Sequence, residues 1–142
     1  MELVFPAAAE NEAFARMVIS AFLVQINPPV SLISEVRTAV SEAVTNAVVH
    51  AYRETNAGKI IMRAELDDSR LRIIIEDFGC GIENIEQAMQ PFYTTQPGGE
   101  RTGMGFSLML SFMDSVKVFS APGNGTTVEM SKLLNGMHDD IV

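Results

Sequence analysis

The feature that most constrains this chain is a pair of short runs, Lys59 to Leu66 and Arg70 to Asp77, separated only by Asp67-Asp68-Ser69. Both alternate or stay apolar, and the three residues between them are turn chemistry, so the pair predicts an antiparallel hairpin. The second run holds Ile73, Ile74 and Ile75 in succession, which marks it as buried. It ends in a carboxylate, Asp77, followed at once by Phe78-Gly79-Cys80-Gly81-Ile82. A buried strand that delivers an acid into a glycine turn is a place where backbone can approach a flat ligand. The same text also fits a tight turn with an Asp cap.

Elements on either side of the hairpin predict the rest of the fold. Leu3 to Phe5 reads as a short edge strand. Asn11 to Gln25 reads as a helix, with Phe14, Val18, Ala21 and Phe22 at three-to-four spacing. Asn27-Pro28-Pro29 ends that helix and prepares a longer one, Ser31 to Tyr52, striped by Ile33, Val36, Val40, Ala43 and Ala47. After the hairpin, Gly79 to Gly105 is rich in Gly, Pro, Thr and Gln, a length that in a compact domain usually signals a functional loop, read here as a lid. A helix from Gly105 to Met113 follows, then strands Ser115 to Ala121 and Thr126 to Leu133 joined by Pro122-Gly123-Asn124-Gly125. The tail after Leu134 is expected to fray. Strands that pair as hairpins and helices gathered near the start give an α+β class. The expectation is a two-layer sandwich of a mixed, mostly antiparallel sheet with helices on one face.

The 142 residues suit one domain, 1–142, and are too few for a catalytic domain with a separate sensor or transducer. Hydrophobic residues at 47% against 20% charged support a core that folds unaided. A formal charge of −8, with no Lys/Arg cluster to neutralise a phosphate backbone, argues against direct nucleic-acid binding. One cysteine, Cys80, excludes an intramolecular disulfide, and neither a secretory leader nor a long apolar run appears, so a cytoplasmic protein with no membrane association is expected.

Four places carry chemistry. On the second helix Glu42 and Asn46 stand four apart on one flank. An Asn oxygen is a hard ligand suited to Mg²⁺, which substrate phosphates and water usually complete, and a nearby Glu can orient or deprotonate an attacking hydroxyl. An ordinary solvated helix face fits these two residues equally well. Asp77, acceptor-only when ionised, can take a hydrogen bond from the amino group of adenine, with Gly79 and Gly81 beside it. Thr94-Thr95 and the run Arg101-Thr102-Gly103-Met104-Gly105 open the third helix, where backbone N–H groups form an anion site. Arg101 can add charge-assisted bonds of roughly 1.5–3 kcal/mol each. A surface loop with a glycine cap is the plainer account of that stretch. Finally, Gly125-Thr126-Thr127 starts the last strand, where the Thr126 hydroxyl can reach an adenine edge directly or through water, although Thr is common in strands.

Taken in this order, on helix, strand end, loop-to-helix and strand, the four motifs resemble the GHKL ATPases over nearly the whole chain, Glu10 to Leu133. Within that superfamily several segments are similar to the sporulation anti-sigma factors, a family of protein serine kinases. They are Glu10-Asn11-Glu12-Ala13-Phe14-Ala15-Arg16, Ser41 to Ala47, Pro91-Phe92-Tyr93-Thr94-Thr95, Glu100 to Phe106 and Phe112-Met113-Asp114. The resemblance implies a homodimer that uses Mg²⁺ and ATP, holds an RNA polymerase sigma factor inactive, and phosphorylates a serine of an anti-anti-sigma protein. By matching position it implies Glu42 as catalytic base, Asn46 as Mg²⁺ ligand, Asp77 as adenine acceptor, Arg101 as γ-phosphate contact and Arg16 as the arginine that meets both partners. It also implies ATP/ADP binding through Thr94, Thr95, Gly103, Met104, Gly105 and Thr126.

Other readings remain beside it. A sensor histidine kinase would need a phospho-acceptor His on its own helical domain, and this chain has only His50 and His138. A general-stress anti-sigma kinase would share fold and chemistry. A non-catalytic module that uses nucleotide only to set its shape would not need Glu42.

Overall fold

The computed structural model describes residues 1–51, 58–67, 69–82, 84, 85, 89 and 105–134. In chain order the elements are β1 (Glu2–Pro6), α1 (Glu10–Leu23), α2 (Val30–Asn46), β2 (Lys59–Leu66), β3 (Arg70–Asp77), α3 (Gly105–Phe112), β4 (Ser115–Ser120) and β5 (Thr126–Leu133). The predicted hairpin forms with the predicted bounds, Ile60 opposite Asp77 and Leu66 opposite Leu71. Asp67 closes its turn by accepting from the backbone N–H groups of Ser69, at 2.9 Å, and Arg70, at 2.8 Å.

The sheet order is β1-β2-β3-β5-β4, and each of these pairings is antiparallel. Its two faces differ because the strands alternate. Leu71, Ile73, Ile75 and Asp77 are buried on one face of β3. On the other face Arg63 lies 3.4 Å from Glu76 and 3.6 Å from Glu2, and Arg72 lies 3.0 Å from Glu129 and 3.6 Å from Glu65. A sheet with one apolar and one charged face needs a single helical layer to cover it.

That layer is built around α2, which packs on β3 and is flanked by α1 and α3. Val36, Val40 and Val44 of α2 join Ile19 and Leu23 of α1, Met109 of α3 and Met62 and Ile73 of the sheet in one core, all with no exposed surface. Lys132 of β5 locks the layer to the sheet, its Nζ 2.9 Å from Glu35 of α2 and donating at 2.5 Å to the Phe112 carbonyl at the end of α3. A cation at a helix C-terminus also meets the negative end of the helix dipole.

Two helix ends differ from the sequence expectation. The first helix tightens after Leu23 into a 3₁₀ turn, Val24–Ile26, and stops at Asn27, whose φ of 48° is a left-handed conformation that Asn tolerates. The second is α-helical only to Asn46 and widens over Ala47–Ala51 into a π-helix. Apolar spacing alone does not separate a 3.6-residue turn from a wider one, so the change of pitch was invisible in the sequence. Among the described residues no helix is long and apolar enough to cross a membrane. The expected lid residues 90–104 and the tail after Leu134 lie outside the described residues.

Candidate functional site

Register brings three polar side chains into one row at the end of the sheet. Asp77 of β3 stands opposite Thr126 of β5, and Thr126 stands opposite Ser120 of β4. The row lies on the helix-covered face, as Val118 and Val128, one inward position earlier, are paired in the same way.

Asp77 is 7% exposed and Thr126 8%, the two polar side chains of the described residues that are buried. Oδ1 of Asp77 accepts from the Gly79 N–H at 2.9 Å and the Thr126 N–H at 3.2 Å. Neither of those bonds uses Oδ2. Burial pushes the Asp77 carboxyl above its ordinary value, the two backbone N–H groups pull it down, and the neighbouring Glu76 charge adds a smaller upward push.

Ser120 holds the other end of the row. Its Oγ accepts from the Ile82 N–H at 2.8 Å, donates to the Gly125 carbonyl at 2.8 Å and lies 2.8 Å from Thr126 Oγ1. Gly123 adds a backbone bond to the Cys80 carbonyl at 2.7 Å, so the Asp-Phe-Gly-Cys-Gly turn is clipped onto the β4–β5 connection. Two glycines make this approach possible. A Cβ on Gly81, at φ 77°, would fall 2.0 Å from the Ala121 carbonyl oxygen, and one on Gly125, at φ 75°, would fall 2.3 Å from the Asp77 carbonyl oxygen. Phe78 leaves this turn half-exposed, with the Lys59 ammonium 5.2 Å from its ring centre.

Glu42 and Asn46 sit one turn apart on α2, both half-buried, with Asn46 the last residue before the helix widens. Wide turns inside helices are frequent at functional sites. The helix they share packs on β3, the strand that carries Asp77. Gly105 is buried at the start of α3, which packs on the other flank of α2. Arg16 lies on α1, 3.3 Å from Glu12, and Glu12 also accepts a hydrogen bond from the Ser41 hydroxyl. Arg16 is therefore linked through one carboxylate to the residue that precedes Glu42. Thr94, Thr95, Arg101, Gly103 and Met104 lie outside the described residues.

Sequence reading overlooked Ser120. The signal was present as a polar residue at the third inward position of a strand whose other inward positions are Val116 and Val118. Among the described residues no group of three His, Cys, Asp or Glu side chains is arranged to hold a metal ion. An Asn such as Asn46 fits Mg²⁺ only as one ligand of a cation whose shell phosphate oxygens and water complete.

The sequence profile of the histidine kinase-like ATPase domain matches residues 5–132. The chain is 49% identical over 135 residues to the anti-sigma F factor of Pasteuria penetrans, covering 94% of this chain and 90% of that one. It is 47% identical over 135 residues to the anti-sigma F factor of Clostridium beijerinckii, covering 95% and 94%. Its fold is similar to a crystal structure of the RsbU and RsbW domains of a Mycobacterium tuberculosis protein, with a TM-score of 0.67 at 22% identity over 94% of this chain and 31% of that one. The histidine kinase domain of a blue-light-activated kinase from Erythrobacter litoralis gives a TM-score of 0.57 at 24% identity over 78% and 48%. The chain thus belongs to the anti-sigma F factor family, built on a histidine kinase-like ATPase domain.

Proposed function

We propose that this protein binds Mg·ATP at the Asp77 end of the sheet and transfers the γ-phosphate to a serine of an anti-anti-sigma protein, and that it holds a sporulation sigma factor inactive until that antagonist intervenes. The observation that carries the nucleotide reading is the buried row of Asp77 and Thr126, framed by turns that Gly81 and Gly125 allow to pack backbone to backbone. Carboxylates are rarely buried without a charge partner, and this one keeps an oxygen outside its two backbone bonds. An ionised Asp77 accepts from the 6-amino group of adenine, and Gly79 lends its backbone N–H to hold the Asp77 carboxylate in place.

Phosphoryl transfer asks the protein mainly for position and for neutralisation of charge. In this reading Glu42 orients the substrate serine and accepts its proton, while Asn46 serves as a ligand to Mg²⁺. The cation, when bound with the phosphate oxygens, lowers the charge on the group being transferred. Thr94, Thr95, Arg101, Gly103, Met104 and Gly105 form the phosphate side, with Arg101 directed at the γ-phosphate. Arg16, half-exposed on α1 and flanked by the exposed Phe14 and Met17, is the proposed contact for both protein partners. Two chains acting as a homodimer, each a single catalytic domain, complete the proposal.

The test is to incubate the purified protein with Mg·ATP and an anti-anti-sigma protein from the same organism, and to follow intact mass. Gain of one phosphate on the antagonist, lost with Glu42→Gln, is the expected result. ATP binding without transfer would reduce the reading to a nucleotide-gated binding module.

A further inference from the structure

The Ser120 hydroxyl makes three contacts with a single proton to give. Its neighbours are the Ile82 N–H, which can only donate, the Gly125 carbonyl, which can only accept, and the Thr126 hydroxyl, which can do either. One assignment satisfies all three. Ile82 donates to Ser120, Ser120 donates to Gly125, and the Thr126 hydroxyl spends its own proton on Ser120. What Thr126 Oγ1 then has left is lone pairs.

We infer that Ser120 is a positioning residue that sets base specificity: it fixes the Thr126 hydroxyl as an acceptor, so that the ligand meets acceptors from both Thr126 and Asp77. A purine with a 6-amino group brings donors to such an edge. A 6-oxo purine brings an acceptor to that position, which both groups repel, and carries its donor on N1 instead. The frame that holds this polarity is stiff, because the Ile82 and Gly125 backbones that bond Ser120 belong to the same two turns whose Gly81 and Gly125 leave no room for a Cβ. The inference rests on the nucleotide reading above and adds to it the residue that decides which base is accepted.

Calorimetric titration with Mg·ATP and with the magnesium complex of inosine triphosphate measures the claim, since the two differ only in the 6-substituent of the base and the proton on the adjacent N1. The preference for ATP should fall about tenfold in Ser120→Ala, the scale of one hydrogen bond, because the freed Thr126 proton can turn to the 6-oxo group. Ser120→Thr, which keeps a hydroxyl, should restore it. Thr126→Val, which removes the acceptor but keeps the backbone bond to Asp77, should lower the same ratio and decides the matter if Ser120→Ala does not fold. Equal losses for both nucleotides in Ser120→Ala, or an unchanged ratio in Thr126→Val, would overturn the inference while leaving nucleotide binding intact. A wild-type protein that binds neither nucleotide would overturn the proposed function and this inference with it.

Discussion

The Asp77 end of the sheet and the outer face of α1 and α2 both carry polar chemistry, but they are held by different forces. At the sheet end Asp77, Thr126 and Ser120 are tied by backbone N–H and C=O groups in turns that admit no side chain at Gly81 or Gly125. On the helical face Arg16, Glu12 and Ser41 are linked by side chains alone, with Arg16 39% exposed. Backbone-framed groups recognise a ligand of fixed shape, whereas exposed side chains can exchange partners at low cost. The difference teaches where to look for each property under the proposed function: discrimination at the strand ends, and exchange of protein partners on the helices.

The largest effects should come from breaking the rigid end. Gly81→Ala places a methyl group 2.0 Å from a backbone oxygen in a left-handed conformation and should cost about 3–4 kcal/mol, read by denaturant unfolding. Asp77→Asn should weaken ATP about 100-fold, because the amide N–H₂ replaces a carboxylate oxygen opposite the adenine amino group. The same variant should be as stable as the wild type or more so at neutral pH, which separates a binding role from a structural one.

The pH dependence has a definite sign. Burial raises the Asp77 pKa in the native state, so the stability it contributes is full below its unfolded value and is lost as pH rises through the native value. ATP affinity runs the other way across that window, rising as the carboxylate forms. Asp77→Asn should flatten both profiles, and persistence of the affinity profile in that variant would assign it to another group.

Smaller effects are expected from the helical face. Glu12→Ala removes the bond from Ser41 and the ion pair to Arg16 and should cost about 1 kcal/mol, with ATP affinity unchanged. Loss of ATP affinity comparable to that of Asp77→Asn would erase the contrast between the two regions. On the charged sheet face Arg72→Ala should leave the unfolding midpoint nearly unchanged, since Arg72 is 43% exposed and its pairs with Glu129 and Glu65 are screened by solvent.

The strands were legible because their alternation is local: β2, β3 and β5 begin and end where the sequence placed them. Asp77 was legible for a related reason, as an acid between an isoleucine run and a glycine turn. Ser120 was not, because its partners lie 38, 5 and 6 positions away and meet only once β4 and β5 are in register. The change of pitch after Asn46 was hidden because apolar residues mark a helix face without fixing its width.

The most direct test of the account is one pair of variants read by two methods, ATP binding by calorimetry and phosphate transfer to the anti-anti-sigma protein by mass. Glu42→Gln should bind ATP within about threefold of the wild type and lose transfer by about 100-fold or more, while Asp77→Asn should lose binding first. Transfer that survives in Glu42→Gln would contradict the division of the site into a base-reading strand end and a catalytic helix.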